Sequence, residues 1–517
     1  MIQVLPIGGH DVNMQPVDGL HTLGRWLAGS ALRQPDRPAI VAGDDVVGYR
    51  ELDERATRLA GVLVRTGFRP GHRIATLTGN SADQVVLFFA CARARLVLVP
   101  LSWRLTAREL ADQLADARPR LLVVEPARTD LADAARERMA APPPRVTPGP
   151  TGIEARLTGP VTDPVRDDDP LLMLYTSGTS GRPKAVVLSH ANCFWTNLSL
   201  GRAVPIGPDD VVLAVLPQFH VGGWNVQPLL AWWSGATVVL ERTFDAGRVL
   251  RLVAERRVTT MMGVPANYQF LAEHPDFPSA DLSSLRVALV GGAPMPEPLL
   301  RTWHARGVAL VQGYGLTEAA PNVLCLPGDA ARDKTGFAGR PYPHVEVAVA
   351  DPVTGALLDG PGEGELLVRG PAVFAGYWRA PEATGAVLRD GWLHTGDLVY
   401  RDADGDHRIL DRVDDMFVPG GENVSPGEVE QVLAGHPAVA QAAVVGQPDE
   451  RWGAAGVAYV VLEPGHGVCG DELIDFCRAE LAGFKVPREI RFAAELPRSA
   501  MGKVLRRKLR KAEEATG

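Results

Sequence analysis

The stretch from about residue 205 to residue 318 alternates two kinds of apolar run, and this alternation limits the folds open to the chain. VVLAVLP (211–217) and ATVVL (236–240) are short and β-branched, as buried strands are. DAGRVLRLVAERR (245–257) carries helical spacing, and VTTMMGVP (258–265) returns to a strand pattern. LRVALVGG (285–292), PEPLLRTWHARG and VALVQGYG then read as strand, helix and strand. Repeated strand–helix–strand units predict a parallel sheet covered by helices. The region near 40–125 alternates in the same way. From 336 to 410 the helices thin out. There GELLVRG and GWLHTGDLVYRDADGDHRIL predict antiparallel ribbons, with Asp404-Gly405 at a hairpin turn. The proline-rich run ARERMAAPPPRVTPGPTG (135–152) reads as a surface connection.

DRVDDMFVPGGENVSPGEVEQVL (411–433) marks a boundary. Ser425 can cap a helix there, Pro426 suits its first turn, and Glu428 completes a capping box. About 85 residues follow, with strands AVAQAAVVG and GVAYVVLE, enough for a small domain. The predicted class is α/β. A large N-terminal domain (1–410) combines parallel and mixed sheets, covering helices and an antiparallel ribbon or barrel-like subdomain. A small α+β domain (411–517) follows it.

At 517 residues the chain exceeds one ordinary core. With 46% hydrophobic and 22% charged residues it has the balance of a soluble globular protein, and a net charge of −8 argues against a nucleic-acid partner. Cys91, Cys193, Cys325, Cys469 and Cys477 form neither a CxxC pair nor a zinc spacing, so a reduced, cytoplasmic protein is expected. MIQVLPIGGHDVNMQ lacks the basic and apolar regions of a signal peptide. Arg93 and Arg95 interrupt VVLFFACARARLVLVPL, which predicts a buried helix and a strand and no integral membrane segment.

YTSGTSGRPKAVVLSH (175–190) concentrates the chemistry. Backbone N–H groups of a tight Gly/Ser/Thr loop can converge on an anion, and hydroxyls and Lys184 add donors and charge. Polyphosphate is the expected guest. The G-x-x-x-x-G-K-[ST] loop is excluded, because Pro183 stands at its second glycine and Ala185 follows Lys184. AVVL reads as a strand where that motif opens a helix, so a strand–loop–strand is predicted. Linkers share this composition, but here apolar runs pin both ends.

LPQFHVGG, GGAP, QGYGLTE, GELLVRGPAVFAGYW, GWLHTGD, DRVDD, GGENVSPGEVE and PRSAMGKVLRRKL follow in order. With the loop they make the chain resemble the adenylate-forming (AMP-binding) superfamily, which includes acyl-CoA synthetases, adenylation domains of peptide synthetases and beetle luciferases. The branch it resembles is that of fatty- or aryl-acid CoA ligases. The resemblance implies ATP, Mg²⁺ and CoA. A carboxylate attacks the α-phosphorus, giving acyl-AMP and pyrophosphate, and a thiol then displaces AMP.

The resemblance also implies residue roles. Thr176, Ser177, Gly178, Thr179, Ser180 and Gly181 would wrap the β- and γ-phosphates, with Lys184 nearby. Gly291, Gly292, Ala293 and Pro294 would wall the adenine. In the run from Gln312, Tyr314 would lie against the base, Thr317 would touch phosphate, and Glu318 would hold Mg²⁺, with Gly313 and Gly315 allowing close backbone approach. Asp397 would accept from the ribose hydroxyls and Arg412 would contact ribose or phosphate. Lys503 would reach the α-phosphate and the carboxylate, which requires a mobile small domain turning about Asp414. Gly420 and Gly421 would then leave room for the phosphopantetheine arm. Read alone, Glu318 is also a helix-start residue and Asp397 a turn residue. Lys184 and Arg412 are also surface charges, and Lys503 part of a solvated basic helix with Arg506, Arg507, Lys508 and Arg510.

His220 stands where α-amino-acid-activating relatives carry a carboxylate, which argues against an ordinary amino acid substrate. It would line the acid entrance, or else be a structural imidazole. Val221, Gly222, Gly223 and Trp224, with Met262, Gly263, Val264 and Pro265, would give an apolar lining, the glycines leaving space or Trp224 taking it back. The acid is aliphatic, of medium or long chain, or aromatic. The acceptor is CoA or a separate carrier protein. A homodimer is left open. The alternatives are a stand-alone adenylating enzyme, including one for an unusual oxyacid, and a non-catalytic nucleotide-binding homologue.

Overall fold

The computed structural model describes residues 19–148, 164–176, 183–293, 295–328, 330–415, 417, 419, 424, 426–449, 453–481, 483, 485–498, 504–506 and 508–510. The strands expected from 211 to 314 form one sheet. Leu310–Tyr314, Val287–Val290, Thr260–Gly263, Val211–Ala214, Thr237–Leu240 and Pro38–Ala42 lie side by side and parallel. Strands covered on both faces read as continuous apolar runs. Here Val212 and Ala214 enter one core with Trp224 and Trp232, while Leu213 and Val215 enter another with Val253 and Trp303. The intervening helices are locally encoded. Asp245 caps Ala246–Glu255 by accepting from the Arg248 N–H at 2.7 Å, and Val249, Leu250, Leu252 and Val253 bury its inner face.

A second sheet of six strands includes Arg73–Leu77, Val97–Pro100, Pro170–Thr176 and Lys184–Ser189. The last two pair antiparallel on either side of the glycine-rich loop, the strand–loop–strand expected. VVLFFACARARLVLVPL forms the buried helix Ala82–Ala94 and the strand Val97–Pro100. The helix ends where Arg95 adopts φ 56° and its side chain pairs with Asp169. Among the described residues no helix is long and apolar enough to cross a membrane.

Glu346–Ala350, Gly362–Arg369, Trp392–Arg401 and His407–Arg412 form the antiparallel ribbon. Its hairpin turn spans 402–406, with Gly405 at φ 86°. Asp402, Asp404 and Asp406 all converge on the Lys334 ammonium, at 2.8, 2.7 and 2.6 Å, tying the hairpin to the chain before Arg340–Pro341.

In the C-terminal region Val439–Asp449 and Gly453–Leu462 pair antiparallel, and Glu489–Phe492 adds in parallel. Gly446 and Gly456 face each other in register beneath Phe417. A Cβ on either would lie 2.3 or 2.9 Å from that side chain, so the two glycines make its seat. The helix Pro426–Ala434 begins at the expected proline, but Glu428 pairs with Lys485 at 2.7 Å, and Ser425 lies outside the described residues. The basic tail is not simply a solvated face. Arg506 pairs with Asp415 and Glu430, and Arg510 with Asp415.

His190 opens the helix His190–Ala203 fully buried, its Nδ1 accepting from the Leu23 N–H at 3.1 Å. Burial pushes its pKa from 6.5 down to about 4, against the pull of Asp169 and Asp167. Between these values the unfolded chain binds the extra proton, so stability rises with pH across that window and is lost as pH falls. Lowering pH from 7 to 5 is expected to cost about 2 kcal/mol at this site. Thermal melts at both pH values should show a smaller drop for His190→Gln. An equal drop in the variant would refute the assignment.

Candidate active site

Parallel strands present their C-terminal ends together, and ligands of such sheets bind at those ends. Gly263, Val290 and Tyr314 are the last residues of three adjacent strands, so the segments that follow them meet. Their glycines are sterically required. A Cβ on Gly315 would stand 1.5 Å from the Pro321 carbonyl oxygen, and one on Gly291 would stand 2.9 Å from that of Gly313. Gly292 adopts φ 80° and, with Ala293, is exposed as a shelf beside Tyr314. Pro294 lies outside the described residues.

The antiparallel ribbon brings Asp397 to this edge. Asp397 and Arg412 are register partners, and Arg412 Nη1 donates to Asp397 Oδ1 at 2.8 Å and to the Thr395 carbonyl at 3.0 Å. The Tyr314 hydroxyl donates to Asp397 Oδ2 at 2.5 Å. Burial first, then the Asp397 charge, raises the Tyr314 phenol well above its usual pKa, so it stays a donor. Glu365 braces the turn from the next strand: its Oε1 accepts from the Gly396 N–H, and its Oε2 meets His394 Nδ1, each at 3.0 Å.

Glu318 sits in the short turn Thr317–Ala319, where Phe374 N–H donates to its backbone carbonyl. The Tyr377 hydroxyl donates to Glu318 Oε1 at 2.7 Å, and Lys184 Nζ lies 5.2 Å from the centre of the Tyr377 ring. Burial and the Glu318 charge hold the Tyr377 phenol protonated. Thr176 and Lys184 are cross-strand partners at the mouth of the glycine-rich loop. Ser177, Gly178, Thr179, Ser180 and Gly181 lie outside the described residues, as do Gly420, Gly421 and Lys503. Asp414 falls in the turn Val413–Asp415. One partly buried carboxylate with an oxygen held by a phenol suits Mg²⁺, which takes few protein ligands beside phosphate oxygens and water.

On the other side, His220 stacks edge-on against Phe219 at 4.5 Å, and its Nε2 has no partner among the described residues. Burial, helped by Arg104, pushes the imidazole down to about 4, so it is neutral at pH 7. Val264 Cγ1 lies 3.5 Å from where a Cβ on Gly292 would be, which brings the segment after Gly263 against the Gly292 shelf. Gly222 and Val221 follow His220, and Gly263 ends the facing strand. Two expectations change here. The Trp224 side chain is fully buried, stacked on Phe88 at 4.6 Å with Nε1 donating to the Gln218 carbonyl at 2.6 Å, so it backs the wall without facing a cavity. Gly223 leaves no space either, since a Cβ there would meet the Pro217 carbonyl at 2.4 Å. Gln312 is also buried, with Nε2 unpartnered among the described residues. Sequence reasoning missed Tyr377 and Glu365. Both stand in quoted motifs, but no spacing links them to Glu318 or Gly396.

The family model described as AMP-binding enzyme matches residues 27–378, and the model of the AMP-binding enzyme C-terminal domain matches 428–503. A feruloyl-CoA synthase of Amycolatopsis sp is 42% identical over 490 residues, covering 95% of this chain and 98% of the relative. A long-chain-fatty-acid–CoA ligase, FadD13 of Mycobacterium tuberculosis, is 35% identical over 474 residues, covering 90% and 93%. An o-succinylbenzoate coenzyme A synthetase from Bacillus subtilis, solved in complex with ATP and magnesium ion, superposes with a TM-score of 0.85 at 31% identity, covering 94% and 98%. By these matches the chain belongs to the AMP-binding enzyme family and is an AMP-forming acid–CoA ligase.

Proposed function

We propose that the chain joins an apolar-bodied organic acid to AMP and then passes the acyl group to CoA. The acid carboxylate attacks the α-phosphorus of ATP and pyrophosphate leaves. The CoA sulfur then attacks the acyl carbon and AMP leaves. The observation that carries this reading is a pair of neighbouring groupings, Asp397 with Arg412 at Tyr314 and Glu318 with Lys184 at Tyr377, linked by the Arg412 charge acting on the Tyr377 phenol.

Asp397 has a further lone pair on each oxygen to accept from the ribose hydroxyls, and its bonds to Arg412 and Tyr314 hold it still. Gly292 and Ala293 let the adenine approach the backbone. Thr176 and Lys184 serve the pyrophosphate end with the loop between them, and Thr317 serves phosphate. Glu318 would hold Mg²⁺, which offsets phosphate charge. His220, being neutral, lines the acid entrance as a polar contact that brings no charge of its own. Lys503 supplies the positive charge that the pentavalent phosphorus needs. One cavity must serve two reactions, so the small domain turns at Asp414, withdrawing Lys503 and admitting the thiol arm past Gly420 and Gly421.

Pyrophosphate release over a panel of acids, with and without CoA and with mass spectrometry of products, tests the reading. With CoA, AMP, pyrophosphate and acyl-CoA are expected in equal amounts; without CoA, pyrophosphate and acyl-AMP are expected. ADP as product, or nucleotide binding without turnover, would refute it. Lys503→Ala is expected to slow adenylation by ~100-fold or more while thioester formation from supplied acyl-AMP largely survives. Near-normal pyrophosphate release from that variant counts against the assigned role. Asp414→Pro should spare adenylation more than thioester formation, and equal loss of both half-reactions would remove the hinge.

A further inference from the structure

One short segment ties Glu318 to the strand that carries Lys184. The Phe374 N–H donates to the Glu318 carbonyl and the Trp378 N–H to the Ala185 carbonyl, both at 2.8 Å. Between them Tyr377 pairs with Val186 in an antiparallel bridge, and its N–H donates to Thr384 Oγ1 at 2.9 Å. Thr384 comes this close because Gly376 has no side chain. A Cβ there would stand 2.7 Å from Thr384 Cγ2. The Tyr377 ring is held as well. It packs edge-on against Phe374 with ring centres 4.9 Å apart, and the Lys184 ammonium lies 5.2 Å from its centre.

The hydroxyl of this anchored ring donates to Glu318 Oε1 at 2.7 Å. Glu318 Oε2 takes no hydrogen bond among the described residues. A carboxylate has two oxygens, and two-oxygen capture of a cation uses both. With Oε1 engaged by the phenol, Glu318 presents a single open oxygen. Ca²⁺ takes about six to eight oxygens in a flexible shell, often both from one carboxylate, whereas Mg²⁺ demands octahedral geometry and keeps several waters. The narrow bite of a two-oxygen carboxylate fits the loose shell and strains the right-angled one.

We propose that Tyr377 is a positioning residue that sets metal selectivity: by holding Oε1 it confines Glu318 to one-oxygen binding and so favours Mg²⁺ over Ca²⁺ beside the phosphates. The proposal rests on the Mg²⁺ role read for Glu318 above. The phenol acts through the carboxylate and does not itself touch the metal. It keeps the carboxylate from rotating and withholds the second oxygen that Ca²⁺ would use. Because the same segment is bonded to the strand leaving the phosphate loop, the open oxygen keeps a fixed relation to Lys184.

The test measures binding and needs no turnover. α,β-Methylene-ATP, whose α,β bridge cannot be cleaved, is titrated by calorimetry into the wild type, Tyr377→Phe and Glu318→Gln, with saturating Mg²⁺, with saturating Ca²⁺ and with EDTA. Phe keeps the ring against Phe374 and Lys184 and loses only the hydroxyl. Loss of a hydrogen bond to a metal ligand changes metal affinity by about 10-fold or more. The wild type is expected to bind the Mg²⁺ complex at least ~10-fold more tightly than the Ca²⁺ complex. Tyr377→Phe should bring that ratio near one, while affinity in EDTA stays as in the wild type. A wild-type ratio near one, a ratio retained in Tyr377→Phe, or an equal loss with and without metal would overturn the proposal and leave the ligase reading intact. Glu318→Gln is expected to weaken binding of the Mg²⁺ complex. Unchanged affinity in that variant would mean the metal is held elsewhere, and would overturn both the proposal and the metal role of Glu318.

Discussion

The Asp397 carboxylate joins two parts of the molecule. It stands on the antiparallel ribbon, takes a hydrogen bond from Tyr314 at the end of a strand of the large parallel sheet, and pairs with Arg412, the last residue before the turn that leads into the C-terminal region. A carboxylate this buried is costly unless its charge and lone pairs are met. Arg412 and Tyr314 meet them, and in doing so fix the distance between two sheets.

Around this tie, close backbone approach does the shaping. Gly315 against Pro321, Gly291 against Gly313 and Gly223 against Pro217 are contacts that no side chain would survive. They bring carbonyls and N–H groups to the strand ends and leave the polar work to a few side chains. Those side chains are in turn held by others. Tyr377 holds Glu318, Glu365 holds Gly396 and His394, and Thr395 bonds the Leu366 carbonyl at 2.7 Å. Such support holds these groups in place, which is what electrostatic preorganisation would require of the roles proposed for them.

The C-terminal region is organised by the same means. Phe417 lies on two facing glycines, and Arg506 and Arg510 gather Asp415 and Glu430. Asp415 is next to Asp414, and Arg506 follows Lys503 by three residues. The tail is therefore pinned to the segment beside the turn through partly buried ion pairs. Pairs of this kind favour one geometry even where they add little stability.

Much of this was legible in the chain itself. Apolar periodicity gave the strands from Val211 to Tyr314 and the helices between them, because burial on both faces demands those patterns locally. The Asp404-Gly405 turn and Pro426 acted through their own backbone preferences. The motifs located Thr176, Lys184, Glu318, Asp397 and Arg412. Pairings were not legible. Tyr377 reaches Glu318 across 59 residues, and Lys334 reaches Asp404 across 70. Trp224 looked like pocket lining and is core, because the choice depends on Phe88 lying beneath it. Sequence by itself determined the elements and the residue types that chemistry needs, since both follow from local spacing and side-chain character. Only the tertiary structure decided which distant groups meet and which polar atoms stay unpaired, since both depend on how the sheets pack.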